Sequence, residues 1–143
     1  RTACALIKGL YPSFVFTSIM VNMGASTLHI DGNNNGPSVI VSLGVHTGGQ
    51  LWQYPGDILT IAAKPTECDG LVPHVTLPYI GERYSLVYYC IRTTRAEPSP
   101  QDAAFLESLG FNSVHERPPS GKPRGDLLKE AAALVAPLLN GSP

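Results

Sequence analysis

Residues 14–91 consist of short apolar segments separated by turn-forming residues. The segments are rich in β-branched and aromatic residues, a composition typical of strands. Gly, Pro and Asn fill the gaps, as in the run GNNNG at 32–36, and they tolerate the backbone conformations of tight turns. The predicted extended segments are 14–22, 28–31, 38–45, 50–54, 58–62, 73–77 and 84–90. Short strands joined by tight turns predict a mainly β fold of the sandwich or jelly-roll type.

Two helices are predicted beyond the last of these strands. Ser99 is a favourable N-cap, Pro100 suits the first helical position and Gly110 suits the C-terminal end of a helix. An Ala- and Leu-rich pattern over 126–139 predicts a second helix, which contains Pro137 near its end. The chain is therefore expected to end in helices.

Length and composition favour one compact unit. The chain has 143 residues, of which 43% are hydrophobic and 15% are charged, so it can bury a core. We predict a β core at 1–91 and a C-terminal helical extension at 92–143 that packs on this core.

Charge and cysteine content argue against several classes of protein. The formal net charge is −1, so no global basic field favours nucleic acid. The apolar runs are shorter than the roughly twenty residues of a membrane-spanning helix. Cys4, Cys68 and Cys90 form no CxxC pair and no even set, which disfavours a disulfide scaffold or a zinc finger. We therefore expect an intracellular protein, cytoplasmic or nuclear, with no membrane partner.

Two histidines and one aspartate form the first candidate site. His29 and Asp31 are two residues apart, and a strand places such residues on the same face. His74 lies in the later motif PHVT, and a jelly roll brings early and late strands side by side. Two His and one carboxylate hold non-haem Fe(II) with positions left open, and zinc can take the same ligands. We predict one divalent metal here; the alternative is a pair of hydrogen-bonded structural histidines.

Arg83 and Ser85 form the second candidate site. They share one face of a predicted strand, and Arg83 follows His74 by nine residues. A guanidinium fork together with a hydroxyl can bind a carboxylate. Burying an arginine in a small β fold is costly unless an anion meets it, so this pair predicts an anionic ligand.

The order of these motifs, HxD, PHxT and RxS, resembles that of the Fe(II)/2-oxoglutarate-dependent dioxygenase superfamily. The stretches HIDGNNNGPSVIVSLGVHTGGQLW and DGLVPHVTLPYIGERYSLVYY resemble its protist and algal branch, which is distantly similar to the ten-eleven translocation and J-binding oxygenases. The resemblance covers roughly residues 14–91. It implies a double-stranded β-helix, which is a jelly roll of the cupin-like type.

The resemblance also implies roles for individual residues. It implies that His29, Asp31 and His74 are iron ligands, and that Arg83 with Ser85 binds the distal carboxylate of 2-oxoglutarate. Asn22 matches a position near the cosubstrate. Members of the superfamily normally have helices and strands ahead of the first core strand. The segment before residue 14 is short, so we expect some N-terminal elements to be missing from the core.

The activity implied by the resemblance couples oxidative decarboxylation of 2-oxoglutarate to hydroxylation of a C–H bond. It uses Fe(II) and O₂, with ascorbate as an alternative cosubstrate. The acceptor stays open among a nucleobase, a protein side chain and a small molecule. A nucleic-acid acceptor needs phosphate contacts. The basic residues available for them lie beyond the core: Arg92, Arg95, Arg117, Lys122 and Arg124. The alternative function is a non-catalytic cupin-like domain of a larger protein, which binds a metal or ligand or interacts with a partner protein.

Overall fold

The computed structural model describes residues 1–91, 98–112 and 126–141. These ranges contain α1 (Thr2–Leu10), β1 (Ser18–Met23), β2 (Ser38–Leu43), β3 (His46–Gly48), β4 (Leu51–Gln53), β5 (Asp57–Leu59), β6 (Thr66–Cys68), β7 (His74–Thr76), β8 (Tyr79–Gly81), β9 (Tyr84–Tyr89), α2 (Pro100–Leu109) and α3 (Asp126–Leu139). Of the predicted extension at 92–143, α2 and α3 belong to the described residues, whereas most of the connector between them lies outside. Within the described ranges, no helix has the length and apolar character needed to cross a membrane.

The strands form antiparallel sheets, which confirms a mainly β fold with C-terminal helices. One sheet has four strands in the order β1-β9-β2-β6, and another has three in the order β5-β4-β7. Strands β3 and β8 form a separate antiparallel pair. The two larger sheets face each other, because Ile40 on β2 and Leu51 on β4 belong to one buried cluster that also includes Ile61.

The outer face of the four-stranded sheet is covered by α1. Cys4 and Ile7 on this helix are buried against Val39 and Tyr88 of the sheet. The Tyr88 hydroxyl donates a hydrogen bond to the Ala3 carbonyl over 2.7 Å. The sequence patterns above did not predict this helix, although Cys4 and Ile7 have the three-residue spacing of one helical face.

The outer face of the three-stranded sheet is covered by α3. Ala131 and Val135 are fully buried in a cluster with Trp52 and Val75. Their four-residue spacing places both on one side of the helix. Trp52 on β4 and Val75 on β7 alternate with residues that face the four-stranded sheet. Strands β4 and β7 therefore contribute side chains to the core on each face of their sheet.

Helix α2 begins and ends where the sequence predicts. The Ser99 hydroxyl accepts a hydrogen bond from the Asp102 backbone N–H over 3.1 Å, and Gly110 has the left-handed conformation with φ of 103°. The segment after the helix is joined to the β core, because the Asn112 side-chain oxygen accepts from the Phe16 backbone N–H over 3.1 Å. This contact fixes the end of α2 beside the outer face of the four-stranded sheet.

Candidate metal centre

A cavity of about 600 Å³ lies between the two larger sheets. All six residues singled out from the sequence line it: His29, Asp31, His74, Arg83, Ser85 and Asn22. These residues come from β1, β7, β9 and the loop segments beside them. The fold therefore brings positions that are far apart along the chain to the wall of one cavity.

His29 and His74 are held next to each other by the backbone. The His29 N–H donates to the His74 carbonyl over 3.1 Å, and the His74 N–H donates to the His29 carbonyl over 3.0 Å. This isolated antiparallel bridge brings the two ring centroids to 4.2 Å. On β7, His74 and Thr76 face the cavity while Val75 faces α3, as strand alternation requires.

A backbone carbonyl fixes the orientation of each imidazole. His29 Nδ1 lies 2.6 Å from the Thr27 carbonyl oxygen, and His74 Nδ1 lies 2.9 Å from the Val72 carbonyl oxygen. A carbonyl only accepts, so both Nδ1 atoms carry the proton. In the neutral rings the Nε2 lone pairs are then free. A hydrogen bond from the second ring nitrogen is the arrangement that orients metal-binding histidines.

The Asp31 carboxylate lies between the two Nε2 atoms. Its Oδ1 is 3.4 Å from His29 Nε2, and its Oδ2 is 3.8 Å from His74 Nε2. One ligand atom from each of the three residues lies within 4.8 Å of the other two. Metal–ligand bonds of about 2.1 Å place neighbouring ligand atoms roughly 3–4 Å apart, so small side-chain adjustments suffice for one ion.

Asn34 and Gly70 hold the carboxylate in place, and the sequence analysis did not identify either. Asn34 is 5% exposed, and its amide donates to Asp31 Oδ2 over 3.1 Å and to the Ser38 hydroxyl over 3.2 Å. The Asp31 N–H donates to the Gly70 carbonyl over 2.8 Å. A Cβ atom at Gly70 would collide with Asp31 Oδ2 and the Asn34 amide, so only glycine leaves room for this contact.

The three side chains have complementary charge preferences. A hydrogen bond to Asp31 raises the pKa of His29 against the opposing effect of burial. Burial would raise the pKa of Asp31, but the hydrogen bond from His29 and the nearby His74 outweigh it and lower this pKa. Burial lowers the pKa of His74 and favours its neutral ring. Near neutral pH the site therefore combines the Asp31 carboxylate, a neutral His74 ring and a His29 ring that can release its Nε2 proton.

Cys68 also lines the cavity but differs in charge from the three residues above. Its thiol is largely buried, and burial together with the charge of Asp31 raises the pKa of Cys68 to about 12. A thiol binds metals as the thiolate. The Cys68 side chain is therefore a neutral part of the cavity wall at physiological pH.

Arg83 presents an unpaired cationic group to the same cavity. It is 3% exposed, and Nη1 donates to the Gly24 carbonyl over 2.8 Å. Its Nε and Nη2 have no hydrogen-bond partner among the described residues. Burial lowers the pKa of Arg83, and the Tyr79 ring lies under the guanidinium at 5.8 Å. Buried donors without partners are rare, and here they point to an anion that completes them.

Room for the Arg83 side chain comes from Gly49, a further residue that the sequence analysis did not identify. A Cβ atom there would lie 2.9 Å from both Cδ and Nε of Arg83. Gly49 also has φ of +75°, a conformation that other residues adopt at a cost. Gly49 thus leaves the space that the Arg83 side chain occupies.

Ser85 and Asn22 are paired beside this arginine. They are opposite each other in the register of β1 and β9. The Asn22 amide donates to the Ser85 hydroxyl over 3.4 Å, and Ser85 is 4% exposed. The Ser85 hydroxyl hydrogen remains available to a ligand, because the hydroxyl accepts from Asn22 and a hydroxyl can both accept and donate.

Comparison of the chain with protein-family models, with curated proteins and with solved structures finds no match. The superfamily resemblance carried by the HxD, PHxT and RxS motifs therefore stays a prediction.

Proposed function

We propose that this chain is an Fe(II)- and 2-oxoglutarate-dependent oxygenase that hydroxylates a C–H bond of its substrate. One observation carries the proposal. Two imidazole Nε2 atoms and a carboxylate converge in the same cavity as a buried guanidinium that has two unpaired N–H groups. The first set suits a divalent metal and the second suits the carboxylate of an organic acid.

The arrangement of the sheets supports a double-stranded β-helix, or jelly roll. His29 follows the first strand and His74 lies on the seventh, yet they meet between two antiparallel sheets. The four-stranded sheet also pairs β1 with β9, so early and late parts of the chain are neighbours in it. Cavities between the sheets of such folds are favourable ligand sites.

The three converging side chains would hold the iron. His29 and His74 would bind through Nε2, since Nδ1 of each ring is committed to a backbone carbonyl. Asp31 would supply a carboxylate oxygen, and Asn34 fixes the other one. Three protein ligands leave positions open, and bound Fe(II) would supply the redox chemistry with O₂.

Arg83 and Ser85 would bind the distal carboxylate of 2-oxoglutarate. The unpaired Nε and Nη2 of Arg83 can donate to two carboxylate oxygens, and the Ser85 hydroxyl can add a third donor. Binding an anion there would compensate the buried positive charge, which has no acidic partner among the described residues. A cavity of about 600 Å³ can hold this cosubstrate together with part of an acceptor.

The acceptor stays open among a nucleobase, a protein side chain and a small molecule. The cavity wall beyond the metal and anion groups includes the uncharged residues Val87, Tyr89 and Ile91. The basic residues that would contact the phosphates of a nucleic acid lie outside the described part of the chain: Arg92, Arg95, Arg117, Lys122 and Arg124.

Consumption of 2-oxoglutarate without an acceptor tests this function. Wild-type protein, Fe(II), 2-oxoglutarate and O₂ are incubated, and loss of the 2-oxo acid is measured. We expect turnover that the Asp31→Ala variant loses and that Asp57→Asn, a change at an exposed carboxylate of β5, retains. Binding of metal and 2-oxoglutarate with no turnover would favour a non-catalytic binding module. Binding of neither would contradict the proposal.

A further inference from the structure

Strand β1 lies at the edge of the four-stranded sheet and is unusually apolar for an edge. Its sequence, SIMVNM, contains no charged residue and no proline. Val21 is 65% exposed and Met23 is 80% exposed. Natural proteins usually protect exposed edge strands with charges, proline or a covering segment, because an unprotected edge pairs with other strands. None of these protects β1 among the described residues.

The free backbone groups of β1 belong to the same residues that carry the exposed apolar side chains. The Gly24 N–H donates to the Arg83 carbonyl over 2.9 Å, and the register continues through Asn22↔Ser85. Backbone groups alternate in direction along an antiparallel strand. The N–H and C=O groups of Ile19, Val21 and Met23 therefore point away from β9, toward the open side.

The apolar surface extends from this edge across the sheet. Met23, Tyr84 and Leu43 are aligned on three neighbouring strands, and Tyr84 and Leu43 are 41% and 38% exposed. Ile19 on the same face packs against the core beneath α1. A partner strand added at β1 would thus find both unpaired backbone groups and a continuous apolar face.

We propose that this edge binds a second copy of the chain, through antiparallel pairing of β1 with β1 about a two-fold axis. The pairing places Val21 opposite Val21 of the second copy and Ile19 opposite its Met23. This register meets the requirements of both the backbone and the side chains, because odd-numbered residues are opposite odd-numbered residues. It matches the outward-pointing backbone groups of both strands, and it keeps the apolar faces of both sheets on the same side.

Charge also favours a second copy. The strand carries no formal charge, so two copies meet without repulsion, whereas a charged partner strand would find no counter-charge on β1. Two copies related by a two-fold axis contact each other through the same surface, so this surface must be complementary to itself. The same pairing would set Asn22 of the second copy opposite Met20 at the cavity mouth. The proposal does not depend on the oxygenase function.

The molar mass of the full chain in solution tests this interface. Light scattering and sedimentation equilibrium should give twice the 15.3 kDa of one chain. Val21→Lys would oppose two charges at the axis and should give the mass of one chain. Val45→Lys is the matched control, because Val45 is 87% exposed outside β1 and should leave the pair intact. Thermal unfolding of each variant verifies that it is folded.

Cross-linking tests the register. Hydrogen-bonded antiparallel partners have Cα atoms about 5.5 Å apart, within the range of a disulfide. Val21→Cys should therefore form a covalent pair under oxidising conditions, and Met20→Cys should not, because Met20 is opposite Asn22 of the second copy. A single-chain mass for wild type at all concentrations would overturn the proposal and leave the edge to another partner. A two-chain mass for Val21→Lys would also overturn the proposal. Cross-linking of Met20→Cys and not of Val21→Cys would overturn the register.

Discussion

His29 and His74 exchange backbone hydrogen bonds with each other, so the two candidate metal ligands are direct partners in an antiparallel bridge. The bridge fixes their Cα atoms, and the carbonyls of Thr27 and Val72 fix their rings. The positions of both Nε2 atoms are therefore determined by the backbone of residues near the ligands. Such a site is organised before any metal binds, which reduces the reorganisation that binding requires.

Replacement of Asn34 is expected to weaken metal binding. Asn34→Ala removes the hydrogen bond to Asp31 Oδ2 and frees the carboxylate to rotate. Loss of such a supporting contact typically lowers metal affinity by about 10–100-fold. Calorimetric titration with Fe(II) or Mn(II) measures the change, and Asn33→Ala, at the exposed neighbouring asparagine, is the control. Equal affinities of Asn34→Ala and wild type would show that Asp31 is positioned by other contacts.

A methyl group at Gly70 is expected to disturb the same carboxylate. In Gly70→Ala the new Cβ would overlap the Asp31 carboxylate and the Asn34 amide. The metal affinity should fall, while Gly32→Ala should keep it, because a Cβ at Gly32 meets nothing within 4 Å although Asp31 is adjacent. The measurement is the same metal titration. Loss of affinity in Gly32→Ala alone would contradict the described packing around Asp31.

Arg83→Lys is expected to weaken 2-oxoglutarate binding while metal binding is retained. Lysine keeps the charge but loses the planar fork that donates two parallel hydrogen bonds. The binding free energy of 2-oxoglutarate should become less favourable by about 1–3 kcal/mol. Titration of the metal-loaded protein under nitrogen measures this change. Unchanged affinity would place the carboxylate anchor elsewhere and would favour a different cosubstrate, such as ascorbate.

Metal affinity is expected to rise with pH through the pKa of His29. That pKa is raised above 6.5, so the ring is protonated below it, and bound metal requires the unprotonated Nε2. The pKa of Asp31 and of His74 are both lowered, so these two groups stay in their binding forms. Below the pKa of His29 the affinity should fall about tenfold per pH unit, since one proton competes with the metal. A flat profile from about pH 5 to pH 8 would contradict this account.

Local sequence patterns predict much of this fold. Ser99, Pro100 and Gly110 define α2 because capping depends on residues next to each other in the chain. The apolar run at 38–45 predicts β2, and the run at 84–90 predicts β9. Both strands lie at the centre of the four-stranded sheet, where burial on two faces produces a continuous apolar pattern.

Other elements depend on contacts that no local pattern shows. Strands β3 and β8 form between the segments predicted as strands, because they pair with each other across the chain. The extended segment predicted at 28–31 is reduced to the bridge at His29. The strand predicted over 14–22 begins only at Ser18, because the backbone N–H and C=O of Phe16 form hydrogen bonds with Asn112 instead of with a strand.

The candidate site also combines residues that local sequence patterns predict with residues that depend on distant contacts. His29, Asp31, His74 and Arg83 were identified from residue type, spacing and motif order, and the structure brings them into one cavity. Asn34 lies in the turn run GNNNG, where composition predicts only a turn. Gly70 and Gly49 act through the space they leave for side chains distant in sequence, which spacing along the chain does not show.

Binding of Fe(II) and 2-oxoglutarate in the absence of O₂ tests the central claim most directly. The wild-type chain, freed of metal, is titrated first with Fe(II) and then with 2-oxoglutarate. We predict one ion per chain and then one 2-oxoglutarate, with Asp31→Ala losing the ion and Asp57→Asn binding both. Failure of the wild-type chain to bind Fe(II), or equal binding by Asp31→Ala, would contradict the account.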